Sequence, residues 1–289
     1  MDSGYADING LHLYFEIHGE EATPLVLLHG GVMTIELTYA SLLPTLTQHH
    51  RAIGVDFQAH GRTADIDRDL TYANLASDVV ALLDHLGIER AHVMGHSMGG
   101  GTALELAVNH GDRLLSVVPI SASVRPEGTH PDLADPSMYA TSTRMPTEQD
   151  FADMAAAYAK VAPHPERFDD LPARAMTSLN GWNGWTDEQL AGVTSPTLIV
   201  VGDHDFTTTA HAAVMQELIP GSQLAILPGT THMQAPRRAD LLLPMLATFL
   251  GWRVPMPLPL PRVAAFSIAE RKPAVTTRTD PSCAERAAT

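Results

Sequence analysis

Mostly apolar runs of strand length recur along the chain at Leu25–Leu28, Ala52–Val55, Ala91–Gly95, Leu114–Ile120, Pro196–Val201 and Gln223–Leu227. Runs without polar alternation suit strands covered on both faces. Between them lie segments of helical period at Thr38–Leu46, Tyr72–Leu86, Met98–Asn109, Ala210–Ile219 and Asp240–Leu250. In the second of these, Leu75, Val79, Leu82, Leu83 and Leu86 share one face, and Gly87 follows as a stop. Proline fits the last helix only within its first turn, which is where Pro244 is expected. Strands alternating with helices specify a parallel sheet with crossover helices. At the N-terminal end, Tyr5–Ile8 and Leu11–Ile17 flank Asn9-Gly10, a strong hairpin signal. There Leu11, Leu13 and Phe15 alternate with His12, Tyr14 and Glu16.

The alternation stops between Ala122 and Gly192, where no buried strand is legible. Pro126, Pro131, Pro136 and Pro146 punctuate this stretch. Thr147-Glu148-Gln149-Asp150 reads as a capping box opening a helix to about Val161, and Leu171–Leu179 and Thr186–Leu190 are shorter helical candidates. The region carries Met138, Tyr139, Met145, Phe151, Met154, Tyr158, Phe168, Met176, Trp182 and Trp185. Most of these are expected to form a small local core, with a minority roofing a pocket. The expected organisation is an α/β core of 1–121 and 193–250, a helical insertion at 122–192, and a tail at 251–289. In the tail Pro255, Pro257, Pro259 and Pro261 fall on every second residue, a pattern that favours an extended, solvated, disordered segment.

Composition narrows the function classes. Among 289 residues, 33 acidic side chains against 18 basic ones give a net charge of −15. That balance argues against nucleic acid and anionic membrane surfaces as partners. The single cysteine, Cys283, offers neither a disulfide framework nor zinc spacing. Neither a signal-peptide pattern nor an apolar run of membrane-spanning length is evident, so a cytoplasmic location is expected.

Chemistry concentrates around Gly95-His96-Ser97-Met98-Gly99, a G-x-S-x-G motif with a strand before it and a helix after it. A phosphate cradle is the rival reading, because Gly95 and Gly100 also satisfy G-x-x-x-x-G. Gly101 then stands where that motif needs lysine. Ligands of open α/β sheets sit beyond the carboxyl ends of the strands. Four such loops carry His29–Val32, Ser97, Asp203 and Asp205, and His232. Serine, aspartate and histidine come in the chain order Ser97, Asp205, His232. A serine hydroxyl needs a base within hydrogen-bond reach, and an imidazole can take and return its proton. A buried carboxylate fixes the imidazole tautomer. Two backbone N–H groups would hold the oxyanion: that of Met98, and that of Gly31 or alternatively Val32. His29 is expected to be a packing histidine that bonds its loop, and His96 to be structural or pocket-lining. His49, His50 and His60 lack the spacing of a metal site. No cofactor or metal is implied, and the polar loop Asp56–Thr63 carries no chemistry that spacing assigns.

Taken together, Leu27-Leu28-His29-Gly30-Gly31, Gly95-His96-Ser97-Met98-Gly99-Gly100, Gly202-Asp203-His204-Asp205 and Pro228-Gly229-Thr230-Thr231-His232 resemble the α/β-hydrolase superfamily over roughly residues 5–250. The nearest branch is that of small lid-bearing esterases, enol-lactone hydrolases and cofactor-free haloperoxidase-like enzymes. The resemblance implies Asp205 as the catalytic acid, with Asp203 as fallback, and 122–192 as a helical lid. It also implies a small apolar ester or lactone as substrate. Perhydrolysis, carbon–carbon bond hydrolysis, lyase chemistry and a ligand-binding module with residual hydrolysis remain open to the same triad. The family's Asp-x-Arg-Gly-x-Gly-x-Ser loop is only partly matched: Asp56 and Gly61 agree, whereas Gln58, Ala59 and Thr63 depart from it.

Overall fold

The computed structural model describes residues 2–179 and 181–252. Eight strands form one sheet: β1 (Asp2–Ile8), β2 (Leu11–His18), β3 (Pro24–Leu28), β4 (Arg51–Val55), β5 (Ala91–His96), β6 (Leu114–Ile120), β7 (Leu198–His204) and β8 (Gln223–Thr231). Their spatial order is β1-β2-β4-β3-β5-β6-β7-β8. The β1–β2 hairpin joins antiparallel, and every pair from β4–β3 onward is parallel. Leu28 therefore lies beside both Val55 and Gly95, and Gly95 beside Pro119, so the carboxyl ends of the central strands share one edge.

Helices cover both faces: α1 (Ile35–Tyr39), α2 (Leu43–Leu46), α3 (Tyr72–His85), α4 (Met98–Asn109), α5 (Pro131–Ala134), α6 (Glu148–Val161), α7 (Leu171–Met176), α8 (Asp187–Ala191), α9 (Thr209–Leu218) and α10 (Ala239–Leu250). Side chains alternate across a strand, which explains the unbroken apolar runs. Val26 and Leu28 pack with Leu75, Leu82 and Leu104 on one face. Leu25 and Leu27 pack with Tyr39, Leu46, Leu242 and Leu246 on the other. The hairpin's alternation is incomplete, because Tyr14 and Glu16 on its polar positions are also buried.

Several boundaries differ from the expected ones. The helix expected over Thr38–Leu46 is two pieces: Thr34 caps α1, and α2 restarts with Pro44 in its first turn. Proline lacks the N–H that a continuous helix would need at this point. Pro244 lies in the second turn of α10, not its first. It is exposed there, so the carbonyl it frees faces solvent. Strand β8 runs past Pro228-Gly229 to Thr231, with Thr231 paired to His204. It is an edge strand, where a proline removes no ladder bond.

Residues 122–192 sit between β6 and β7 and hold α5 to α8 with short 3-10 turns. Thr147 and Asp150 form the reciprocal capping box of α6. The expected local core is smaller than the apolar count suggested. Met154, Tyr158 and Trp185 are buried, whereas Met138, Tyr139, Phe151 and Met176 are exposed, the last by 60%. The segment is too thin to enclose them all. At the other end, Gly251 closes α10 at φ 87, and the rest of the expected tail, from residue 253, lies outside the described residues. Among the described residues, no helix is long and apolar enough to cross a membrane.

Candidate active site

Strand β5 ends at His96, and α4 begins at Met98, so Ser97 alone makes the turn. Its backbone adopts φ 53 and ψ −115, a region that non-glycine residues occupy only when the surroundings hold them there. The flanking glycines show why. A Cβ on Gly95 would lie 2.0 Å from the Gly99 carbonyl oxygen, and one on Gly99 would lie 2.3 Å from that of Leu28. Strand and helix can approach this closely only without those side chains.

The other sequence-predicted residues converge on this turn. The Ser97 hydroxyl donates to His232 Nε2 at 3.0 Å. His232 Nδ1–H donates to Asp205 Oδ1 at 2.7 Å. Asp205 is fully buried, and its Oδ1 also accepts from Phe206 N–H at 2.6 Å. Its Oδ2 accepts from the Ser121 hydroxyl at 2.5 Å and the Gly202 N–H at 3.0 Å. Burial alone would raise the Asp205 carboxyl. The His232 imidazole, Ser121 and Gly202 outweigh it, so the carboxyl sits below the ordinary range and stays ionised. Phe206 stacks on the His232 ring, with centroids 3.8 Å apart and planes within 7°. His96 is buried, and its Nε2–H donates to the His232 carbonyl at 3.0 Å. Burial, with the neighbouring His232, lowers His96 to about 3, so it is neutral.

Asp203, the alternative acid, is placed elsewhere. Its carboxylate accepts from Gly229 and Thr230 N–H at 2.9 Å each and pairs with His204. It braces the start of the His232 loop and makes none of the hydrogen bonds to His232. The glycine-rich loop brings Gly31 beside the insertion, where a Cβ on Gly31 would lie 3.2 Å from Ala175 of α7. Val32, the alternative oxyanion donor, has its N–H committed to His60 Nε2 at 3.0 Å. His29 behaves as the packing histidine expected. Its Nδ1–H donates to the Gly30 carbonyl, and Nε2 accepts from Phe57 N–H.

Sequence reasoning missed several contributors. Ser121 and Phe206 were not singled out, although a polar residue closing the apolar β6 was a readable signal for Ser121. Arg144, from the insertion, donates to the Asp205 carbonyl at 2.8 Å. The Asp56–Thr63 loop also has structural content that spacing did not reveal. Asp56 is buried against Arg62, and burial pushes its carboxyl up to about 6. A cleft of about 410 Å³ opens between this loop and the insertion, with Ala59, Tyr158, Leu171 and Arg174 among its walls. The Ser97, Asp205 and His232 side chains are not part of those walls. Among the described residues, no group of three or more histidine, cysteine, aspartate or glutamate side chains is arranged to hold a metal ion.

A family model described as the alpha/beta hydrolase fold matches residues 23–167, half of the chain. The chain belongs to the α/β-hydrolase fold family. This α/β hydrolase is 38% identical over 130 residues to a carbamate hydrolase RutD of a Caulobacter species, covering 44% of this chain and 47% of the relative. It thus spans about half the length of the first curated relatives it matches. It is 27% identical over 232 residues to 3-oxoadipate enol-lactonase 1 of Acinetobacter baylyi, covering 75% of this chain and 85% of the relative. The crystal structure of an enol-lactonase from Burkholderia xenovorans superposes with a TM-score of 0.67 at 25% identity, covering 85% of this chain and 99% of that one.

Proposed function

We propose that this α/β hydrolase cleaves a small carboxylic ester or lactone through an acyl-enzyme on Ser97. The observation that carries this reading is the unbroken relay from the Ser97 hydroxyl through His232 to the buried Asp205 carboxylate. His232 Nε2 takes the hydroxyl proton as Ser97 Oγ bonds to the substrate carbonyl carbon. The carbonyl oxygen becomes an oxyanion, received by the N–H groups of Gly31 and Met98. Collapse breaks the C–O bond, and the alcohol takes the proton held by His232, departing from an ester and staying on the acyl chain of a lactone. A water then repeats the sequence on the acyl-enzyme and frees the acid. Asp205 stays ionised throughout and stabilises the imidazolium.

The substrate assignment draws on the surroundings of Ser97. Met98 follows the nucleophile, Ala175 lies against Gly31, and Phe206 stacks on the His232 ring. These apolar neighbours suit an uncharged acyl or lactone ring. The lactone-acting names of two relatives support the same class. In this reading residues 122–192 act as a lid, with α7 against the oxyanion loop. The test is a panel of p-nitrophenyl esters and lactones. Turnover is expected on short, uncharged members, and Ser97→Ala is expected to abolish it while leaving the fold intact. Equal turnover by Ser97→Ala contradicts the reading.

A further inference from the structure

The loop His29–Val32 holds two adjacent glycines, whose peptides rotate with little steric resistance. Aiming the Gly31 N–H therefore requires fixed partners on either side. The Gly30 carbonyl accepts from His29 Nδ1–H at 2.7 Å and from Met33 N–H at 3.2 Å. In a trans peptide the N–H points away from the carbonyl of the same unit, so this bond sets the side on which the Gly31 N–H emerges. The following unit is held from its other end. Val32 N–H donates to His60 Nε2 at 3.0 Å. His60 Nδ1–H donates to the Gln58 carbonyl at 2.8 Å, which leaves Nε2 as the acceptor. Val32 itself sits at φ 62, a costly conformation for a β-branched residue. His60 is fully buried. Its burial lowers it to about 4, so the lone pair on Nε2 stays available.

We propose that His60 is a positioning residue for the oxyanion hole: by accepting the Val32 N–H it pins the Gly31–Val32 peptide and so holds in place the Gly31 Cα, from which the neighbouring unit carrying the Gly31 N–H hangs. This rests on the reading of Gly31 as an oxyanion donor. His60 touches neither substrate nor reacting atoms and acts through the backbone. Without its acceptor, the Gly31–Val32 unit rotates to relieve the strain at Val32, the Gly31 Cα shifts with it, and the Gly31 N–H moves off the position of the oxyanion. The ground-state complex loses little, so the effect falls on kcat and spares KM.

The experiment compares wild type, His60→Gln and His60→Leu on one p-nitrophenyl ester. The Gln amide oxygen reaches the position of Nε2 and can accept, whereas Leu fills the space without an acceptor. His60→Leu is expected to lower kcat about 10²–10³-fold, with KM nearly unchanged and Gln restoring most of the loss. Should His60→Leu not fold, His60→Asn replaces it, because its shorter amide stops short of Val32. In the wild type, the Val32 amide is expected to exchange slowly with deuterium. A kcat in the acceptor-free variant within about threefold of wild type overturns the proposal. So does equal impairment of the Gln and Leu variants at equal folded fraction, or fast exchange at Val32. Absence of Ser97-dependent turnover in the wild type would instead sink the hydrolase reading, and the Val32 exchange rate would still decide whether His60 holds the loop.

Discussion

Ser97 carries a conformational cost that the proposed nucleophile role accounts for. At φ 53 and ψ −115 a non-glycine residue stores roughly 1–3 kcal/mol of strain. Ser97→Gly is expected to raise stability to urea by about 1–2 kcal/mol while removing turnover, a combination that a merely structural serine would not give. The two acids beside β7 separate in the same way. Asp205→Asn leaves the geometry but upsets the His232 tautomer, and kcat is expected to fall roughly 10⁴-fold. Asp203→Asn weakens the brace on Gly229 and Thr230, so it is expected to lower the thermal midpoint while kcat stays within about tenfold. Steady-state kinetics and thermal melts on the two variants check this. Ser97 and His232 were legible because glycine spacing and strand ends announce them. The choice of Asp205 over Asp203 came from the family resemblance and not from spacing, because the two acids lie two residues apart at the end of β7 and differ in burial and partners. Ser121 and His60 stayed hidden because their roles depend on contacts with residues far along the chain, at 205 and 32.

Elements with one dominant local signal were read almost to the residue. Met98–Asn109 and Leu114–Ile120 are as expected, and α6 opens at its capping box. Where a tertiary contact overrode the local signal, the boundary moved. Asp203 holds the chain beyond Pro228-Gly229 and so lengthens β8. The insertion was legible as helical but not in how it attaches. Arg174 of α7 donates to Asp65 through Nε and Nη2 at 2.9 and 3.0 Å and also to the Ile66 carbonyl. Arg174 and Asp65 are each about one-fifth exposed. Arg174→Met should therefore cost roughly 2–3 kcal/mol and free α7 from the core. Limited proteolysis is expected to cut near α7 sooner than in wild type, and an unchanged cleavage rate would mean that this pairing does not fasten the insertion.

Across the molecule, one sheet edge gathers chain segments from Gly31 to His232, and the same edge concentrates buried imidazoles. Burial lowers His29 to about 3, His60 to about 4 and His96 to about 3, against an ordinary value near 6.5. A folded-state value below the unfolded one gives stability that is present above the unfolded value and lost as pH falls toward the folded one. Asp56, pushed up to about 6 by burial, works in the opposite sense. His92, which burial also lowers to about 4, acts with the three imidazoles, so more protons are taken up on unfolding than Asp56 releases. Stability should therefore fall as pH drops from about 6 to 4.5. Urea midpoints at pH 7 and pH 5 measure this, and a midpoint that does not fall at pH 5 would contradict the neutral, buried state of these rings.

The relay at that edge is tested most directly by treating the protein with a fluorophosphonate and mapping the adduct by peptide mass spectrometry. The expected result is a single phosphonylated peptide carrying Ser97, absent from Ser97→Ala and strongly reduced in His232→Ala. An unlabelled Ser97, or labelling that His232→Ala leaves unchanged, would show that the imidazole does not activate this hydroxyl.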